Sequence, residues 1–298
     1  METLVMGKER SRKARAPEER PSEEIAVSQE HRTVWVFPET DQLPIRYLGR
    51  CIPEIPRLCI KRFSEPGDLV LDPFMGSGTA VGEAISLGRK AIGIDAADNA
   101  VKATLKRLEQ YFPWTTPGGS IDEWSEKPNH SEDHPLIMKG DARHLPLGDE
   151  EIDFVFAHVP YWSVITYSTP EEKNPFDMSR IWALENFHKE LLKAFRESFR
   201  VLKWNKYVAV LVGDVRQGGR KIPLGYTSLA LLLNAGFQFY DMIIKVSDNA
   251  ISMRRPVVAM KAVEENRSIT AHEYIIVARK TKASYNKIGL DFLSGDGA

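Results

Sequence analysis

One stretch of the chain constrains its fold more than any other: Leu69-Val-Leu-Asp-Pro-Phe-Met-Gly-Ser-Gly-Thr79. Its apolar start predicts a buried strand, and the glycine-rich turn after the acidic residue leads into a helix that begins near Thr79. Glycine lets a ligand approach the backbone closely, and the first amides of a helix are free donors. The stretch therefore predicts a nucleotide-type cofactor site at the carboxyl end of a strand. It contains neither the Gly-x-Gly-x-x-Gly fingerprint of dinucleotide sites nor the Gly-Lys-Ser/Thr of a phosphate loop.

Strand and helix patterns alternate from this stretch onward. Predicted strands cover residues 69–71, 90–95, 136–138, 153–156, 207–212, 239–246 and 273–278. Predicted helices cover about 52–63, 79–87, 99–110, 184–201 and 227–234. This alternation predicts an α/β fold with a mostly parallel sheet and helices on both faces. The last two strands have little helix between them, which predicts a final antiparallel hairpin.

Length and composition describe an ordinary globular chain of 298 residues, 43% hydrophobic and 27% charged. Residues 1–30 are polar and lack an apolar period, so we predict a disordered or mobile arm there. We predict that residues 31–298 form a single domain with inserts near 113–134 and 163–183.

Hydropathy, cysteine content and net charge indicate the cellular compartment and the kinds of partner to expect. No apolar run is long enough to span a bilayer, and no secretory signal is evident at the N-terminus. Cys51 and Cys59 lie in an apolar-patterned stretch and are predicted to be buried free thiols rather than a disulfide or metal site. We therefore expect a cytoplasmic protein without metal or membrane contacts. The net charge of −1 counts against coating of nucleic acid by charge alone, but allows a local basic surface.

Four strand ends carry chemically useful residues. Asp72, Asp95 and Asp141 follow the first three predicted strands, and His158-Val-Pro-Tyr161 follows the fourth. An aspartate in a turn is common, so each one alone is weak evidence. Because the carboxyl ends of parallel strands meet at one edge of a sheet, their joint placement predicts a single site.

Two motifs resemble those of a known family. Asp72-Pro-Phe-Met-Gly-Ser-Gly-Thr79 resembles the cofactor motif of S-adenosylmethionine-dependent amino-methyltransferases of the cytosine-N4/adenine-N6 family, which act on nucleobases. His158-Val-Pro-Tyr-Trp162 takes the place of their Asp/Asn/Ser-Pro-Pro-Tyr/Phe/Trp motif. The resemblance covers roughly residues 50–280. It implies the Rossmann-like class I methyltransferase fold, with a seven-stranded, mostly parallel sheet that ends in an antiparallel hairpin.

The same resemblance implies S-adenosyl-L-methionine as the cofactor. Asp95 would accept from the ribose hydroxyls, and Asp141 from the adenine amino group, although an ordinary turn role remains open for Asp141. The glycine turn would line the methionine part. The predicted cofactor-binding set is Asp72, Pro73, Phe74, Gly76, Ser77, Gly78, Thr79, Asp95, Asp141 and Ala142.

The second motif supplies the predicted catalytic residues, His158, Val159, Pro160 and Tyr161. An exocyclic amine is a poor nucleophile because its lone pair is delocalised into the ring, so acceptors must be positioned on its N–H bonds. The Val159 carbonyl and a ring nitrogen of neutral His158 would be those acceptors, and Tyr161 would stack on the base.

The motif departs from the family at two positions, which leaves two hypotheses open. His158 replaces a short polar acceptor, and Val159 replaces the first proline. A histidine keeps the acceptor role but changes the shape of the pocket, which leads to the hypothesis that one amine is methylated twice. The alternative for His158 is a core histidine that satisfies backbone groups.

Further substrate contacts are predicted around these motifs. They are Trp162, Tyr167, Asp214, Arg216, Arg254 and Arg255. For each of them a core position or a solvated loop is the alternative.

Motif order bears on the substrate. The cofactor motif precedes the His158 motif by about eighty residues, whereas many small DNA enzymes with this string have the opposite order. We also see no separate target-recognition domain of the size that they commonly carry. Structured RNA is read by shape and needs no such domain, so we favour RNA over DNA, with a cytosine N4 amine of ribosomal RNA as target. The alternatives are a DNA cytosine-N4 or adenine-N6 enzyme, a guanine-N2 tRNA or glutamine-amide methyltransferase, and a non-catalytic RNA-binding protein. The sequence does not predict an oligomeric state.

Overall fold

The computed structural model describes residues 31–37, 51–120, 134–164, 174–246 and 256–282. The predicted arm at 1–30 and parts of both predicted inserts lie outside this range. Within the described residues, no helix has the length and apolar character needed to cross a membrane.

Ten strands and six α-helices make up the described part of the chain. The strands are β1 Val34–Val36, β2 Leu69–Asp72, β3 Lys90–Asp95, β4 Leu136–Lys139, β5 Ile152–His158, β6 Leu202–Val212, β7 Val215–Gln217, β8 Arg220–Ile222, β9 Gln238–Val246 and β10 His272–Arg279. The helices are α1 Glu54–Phe63, α2 Thr79–Ser86, α3 Asp98–Tyr111, α4 Leu184–Val201, α5 Leu224–Asn234 and α6 Pro256–Glu264. Two short 3₁₀ helices cover Trp162–Val164 and Met178–Arg180.

Eight of these strands form one sheet in the order β1-β9-β10-β6-β5-β2-β3-β4. Neighbouring strands run parallel except β10, which is antiparallel to both β6 and β9. The chain leaves β2 towards β3 and β4 and then returns to β5 on its other side, so the order reverses at β2. Ligands bind at such reversal points, beyond the carboxyl ends of the strands.

The predicted class I methyltransferase architecture is confirmed, with additions. The seven predicted strands form the sheet, and the last two pair antiparallel as predicted, with α6 in the connection between them. Strand β1 adds an eighth strand at the edge, parallel to β9. The separate β7–β8 hairpin was not predicted either.

Apolar residues cover both faces of the sheet because the strands alternate. In β5, Phe154 and Phe156 pack in one apolar cluster with α1 and α2, while Val155 and Ala157 pack in the other with α4. Helix α4 buries Phe187, Leu191 and Phe195, which recur every four residues along one face. The sheet is therefore covered on both sides, as the near-continuous apolar strands require.

We expect Phe154→Ala to lower the free energy of unfolding by about 3–5 kcal/mol, the usual loss for a buried phenylalanine. Phe154 is fully buried, and its ring stacks on Phe63 with centroids 6.1 Å apart. Urea titration followed by circular dichroism measures the change. Phe239→Ala is the matched control because 45% of Phe239 is exposed, and a loss as large there would contradict the assignment of the core.

Candidate active site

A pocket opens at the carboxyl ends of β2, β3 and β5. It brings together most of the predicted cofactor residues and two residues of the His158 motif. Those from the prediction are Asp72, Pro73, Phe74, Gly76, Ser77, Thr79, Asp95, Asp141, Ala142, His158 and Pro160. One pocket therefore holds the two motifs, although they are far apart in sequence.

The glycine turn after β2 is held in shape by helix α3. Gly78 has φ +72°, and a Cβ there would lie 2.6 Å from Cγ2 of Thr104, so the close approach requires glycine. The Thr104 hydroxyl donates to the Gly76 carbonyl at 3.0 Å, and Arg107 Nε donates to the Ser77 carbonyl at 2.7 Å. Two carbonyls of the turn are thus bound by side chains of α3.

The pocket contains two buried aspartates with raised pKa values. Asp95 accepts from the Gly76 amide at 2.9 Å and from the Ala97 amide at 3.0 Å. Burial raises the pKa of Asp95 to about 6, and the charge of Asp177 adds to the shift. Burial, together with repulsion from Asp95, raises the pKa of Asp72 to about 8, although its carboxylate accepts from the Phe74 amide. Such carboxylates favour a cation or hydroxyl donors in the pocket.

Asp141 sits in a different electrostatic setting. Arg143 donates to it from its backbone amide at 2.9 Å and from Nε at 2.8 Å, and Arg143 is itself paired with Glu190. Burial opposes ionisation, but the hydrogen bonds from Arg143 hold the pKa of Asp141 below its usual value. Asp141 is thus a fixed, charged acceptor on the pocket wall beside Ala142.

The lining residues fit S-adenosyl-L-methionine. Among the described residues, the Ser77 hydroxyl is one of three buried side-chain polar atoms without a hydrogen-bond partner, and Ser77 lines the pocket. Such an orphaned group is costly unless a ligand or water satisfies it. The carboxyl groups of Asp72, Asp95 and Asp141 can accept hydrogen bonds from the ribose and amino groups of the cofactor. An ionised carboxylate among them can also offset its sulfonium charge.

His158 stands at the end of β5 in a chain of hydrogen bonds. Its Nε2 lies 3.1 Å from the Tyr161 hydroxyl, which donates to Glu273 at 2.6 Å. Glu273 is paired with Lys245 at 2.9 Å. Burial lowers the pKa of His158, so that the ring is neutral at neutral pH, although the charge of Glu273 opposes this shift.

The other three residues of the His158 motif differ in their exposure to the pocket. Pro160 lines it, whereas the described lining does not include Val159 or Tyr161. Val159 is 1% exposed, packs in the core, and donates its amide to the Leu211 carbonyl at 3.3 Å. The stacking role of Tyr161 stays a prediction, and its hydroxyl is already bound by the two partners named above.

The predicted substrate contacts are scattered. Trp162 has a positive φ of 51° and donates its indole N–H to the Ile181 carbonyl at 2.9 Å. Asp214 accepts from the Gly225 amide at the start of α5, and Arg216 donates to the Gly219 carbonyl within the β7–β8 hairpin. These contacts are structural, and none of the three residues is part of the described pocket lining. Tyr167, Arg254 and Arg255 lie outside the described residues.

Sequence reasoning missed several residues of the site. Phe176, Asp177 and Met178 reach the pocket from the second predicted insert, where no periodic pattern indicated them. Thr104 and Arg107 lie three positions apart on one face of α3, a spacing that pattern reading assigns to ordinary helix packing. The remaining two, Glu273 and Lys245, lie directly opposite each other in the β9–β10 ladder. A charge pair in an otherwise apolar predicted hairpin was the signal available for them.

Cys51 also lines the pocket, and both cysteines are free and buried, as predicted. Burial raises the pKa of the Cys51 thiol, with Asp72 adding to the shift, so the thiol is protonated and unreactive. Across the described residues, no three His, Cys, Asp or Glu side chains come together as a metal site.

Comparison with known proteins finds similarity to methyltransferases. A family model described as DNA methylase matches residues 8–106. The DNA adenine methyltransferase YhdJ of Escherichia coli is 41% identical over 80 residues, 26% of this chain and 27% of that protein. The type II methyltransferase M.MjaII of Methanocaldococcus jannaschii is 39% identical over 66 residues, 22% of this chain and 12% of the relative.

An RNA enzyme is also similar. The tRNA (guanine(10)-N2)-dimethyltransferase of Methanothermobacter thermautotrophicus is 30% identical over 133 residues, 44% of this chain and 33% of that protein. The chain thus aligns with a third or less of the length of these three relatives. A solved SAM-dependent methyltransferase from Methanosarcina mazei superposes with a TM-score of 0.47 at 16% identity, over 75% of this chain and 97% of that one.

Asp72→Asn is expected to stabilise the cofactor-free protein and to weaken cofactor binding. A carboxyl with a raised pKa in the folded state costs stability as pH rises from about 4 to about 8, because the unfolded chain releases its proton first. The free energy of unfolding at pH 8 should rise by about 1–3 kcal/mol relative to the parent protein, and at pH 5 by less. Urea titration at both pH values and titration calorimetry with S-adenosylmethionine measure the two effects.

Asp153→Asn is the matched control with the opposite sign. Asp153 is also buried, but it is paired with Lys203 and Lys206, and their hydrogen bonds and charges hold its pKa below the usual value against the effect of burial. Its stability contribution is present above about pH 4 and lost in acid, so the substitution should destabilise the protein at pH 8. A loss of stability in Asp72→Asn, or unchanged cofactor affinity, would contradict the assignment.

Proposed function

We propose that this chain, whose residues 8–106 match a family model described as DNA methylase, methylates an exocyclic amine of a nucleobase. The observation that carries the proposal is the shared pocket, where the glycine turn and its carboxylates face His158. The family model ends at residue 106 and does not reach His158. The role of the His158 end of the pocket is therefore supported by the geometry alone.

The residues of the pocket divide the work between holding the cofactor and activating the amine. When bound, S-adenosylmethionine supplies an electrophilic methyl group on a sulfonium. Asp95 and Asp141 accept from its ribose and adenine groups, and Asp72 faces its positive charge. His158, neutral because it is buried, accepts from one N–H of the target amine, and the Val159 carbonyl accepts from the other. Methyl transfer would join the amine nitrogen to the methyl carbon as the carbon–sulfur bond breaks, and the proton released by the amine would pass to the neutral ring of His158.

The preferred target is the N4 amine of cytosine in structured RNA, such as ribosomal RNA, in the cytoplasm. Two features support RNA: the cofactor motif precedes the amine motif, and a tRNA dimethyltransferase is the relative that aligns over 133 residues. That relative also supports transfer of two methyl groups to one amine. The net charge of −1 means that the nucleic acid is held by local contacts rather than by a whole-protein field.

Site-specific DNA methylation is the second candidate. It is favoured by the family description and by relatives named as a DNA adenine methyltransferase and a type II methyltransferase. For either nucleic acid the target base must leave its stack to reach the pocket.

The assay that tests the function offers the protein methyl-labelled S-adenosylmethionine with unmodified ribosomal RNA, unmodified tRNA and unmethylated DNA in parallel. Mass spectrometry of the digested nucleosides identifies the labelled amine. We expect N4-methylcytidine or N4,N4-dimethylcytidine from ribosomal RNA. Label only in deoxynucleosides would establish the DNA alternative, label in N2-methylguanosine the tRNA alternative, and absence of label from all three would refute nucleic acid methylation.

His158→Ala is expected to keep cofactor affinity within about twofold and to lower kcat by about 10²-fold or more, the usual range for loss of an acid–base group. Titration calorimetry and the labelling assay separate the two quantities. Phe239→Ala serves as control, because Phe239 is 45% exposed and is not part of the described pocket lining. Full turnover in His158→Ala would show that the histidine is a core residue rather than an acceptor.

A further inference from the structure

Four side chains beyond the cofactor loop form one connected series, and their donor and acceptor roles determine one another. Lys245 has only donors and binds one oxygen of Glu273 at 2.9 Å. The other oxygen accepts from the Tyr161 hydroxyl at 2.6 Å. Tyr161 has one hydroxyl hydrogen, and this bond uses it. At the 3.1 Å contact with His158 the tyrosine oxygen must therefore accept, so Nε2 of His158 carries the hydrogen.

Charge supports the same assignment. Burial alone would raise the pKa of Glu273, but the charge of Lys245 and the Tyr161 hydrogen bond hold it below its usual value. Glu273 is therefore ionised and acts as acceptor only. A neutral histidine with hydrogen on Nε2 has its lone pair on Nδ1.

The sheet is built to bring these residues together. His158 ends β5, Glu273 is the second residue of β10, and β6 lies between those strands. Gly213, just after β6, has no side chain, and a Cβ there would lie 3.3 Å from both Tyr161 Cε2 and Glu273 Cγ. Tyr161 thus spans the end of β6 across a glycine, and its ring lies edge-on to His158 with centroids 5.4 Å apart.

We propose that Glu273, acting through Tyr161, is a positioning residue that holds His158 in the tautomer protonated on Nε2, so that Nδ1 is the acceptor for the substrate amine. The role of Nδ1 rests on the function proposed above, whereas the tautomer does not. Tyr161 and Glu273 then select an uncharged acceptor with one defined lone pair, where the family uses a short polar side chain.

Glu273→Gln tests this almost without change of shape. Lys245 can only donate, so it claims the amide oxygen, and the amide NH₂ faces Tyr161. The tyrosine oxygen then accepts from that NH₂ and its hydroxyl donates to Nε2, which moves the histidine hydrogen to Nδ1. Nitrogen-15 NMR of the histidine rings, with His158 assigned from a His158→Gln spectrum, reads the tautomer without substrate. We expect Nε2–H in the parent protein and Nδ1–H in Glu273→Gln.

Turnover provides the second readout. Unmodified ribosomal RNA is the methyl acceptor, and unmethylated DNA replaces it if the labelling assay above places the methyl group in DNA. Glu273→Gln should lower kcat by about 10²-fold with cofactor affinity within about twofold. Adding Tyr161→Phe removes the hydroxyl that imposes the wrong tautomer. The double variant should therefore turn over faster than Glu273→Gln alone, whereas a purely structural role predicts a further loss.

Two more variants complete the test. Glu273→Leu removes the acceptor altogether and should give the same Nδ1–H tautomer. It takes the place of Glu273→Gln in the test if the glutamine variant does not fold. Tyr274→Phe is the matched control, because Tyr274 makes a similar contact of 2.9 Å to His272 on the same strand. It should leave the His158 signals and kcat unchanged.

The outcomes separate the two proposals. Nε2–H in both Glu273 variants, or Nδ1–H in the parent protein, would overturn the assignment of Glu273, whatever the activity. The expected tautomers with full turnover in His158→Ala would keep the hydrogen-bond series but refute the acceptor role on which the proposed function depends.

Discussion

The hydrogen bond from the Gly76 amide to the Asp95 carboxylate joins the turn after β2 to the end of β3, and the site depends on it. These two strands are neighbours at the place where the strand order reverses, so the bond fixes the floor of the pocket. Helix α3 holds the same turn from the other side through Thr104 and Arg107. The turn is therefore held in place without a ligand. This arrangement places Asp72 and Asp95 close together, which disfavours their ionised forms because burial raises the pKa of both carboxyl groups.

The two ends of the pocket differ in their electrostatics. At the cofactor end, buried carboxylates are short of positive charge, which a sulfonium provides. At the other end, His158 is kept neutral by burial although an ionised glutamate lies two hydrogen bonds away. Lys245 offsets that glutamate, so the acceptor stays uncharged.

Local pattern was sufficient for most of the fold. Apolar runs ended by aspartate or glycine gave the seven strands of the main sheet within a few residues, because strand periodicity and turn chemistry are both local. Strand β1 was missed because three residues carry too little pattern, and its pairing with β9 joins distant parts of the chain. Glu273 was missed because its two partners, Tyr161 and Lys245, come from separate parts of the chain, a relation that exists only after the sheet has formed. His158 was found because its motif is continuous.

The reversed direction of β10 has a consequence for how the site comes into being. All other strands of the sheet present their last residues at the pocket edge, but β10 presents its first, and it fits between β6 and β9, which precede it in the chain. Most residues of the cofactor end of the pocket lie between 51 and 142, whereas Glu273 lies much further along the chain. The hydrogen-bond series around His158 is complete only when β10 pairs between β6 and β9 and brings Glu273 to Tyr161. The two ends of the pocket thus depend on distant parts of the chain, and the hydrogen-bond series at the histidine end needs the strand that comes last among those described.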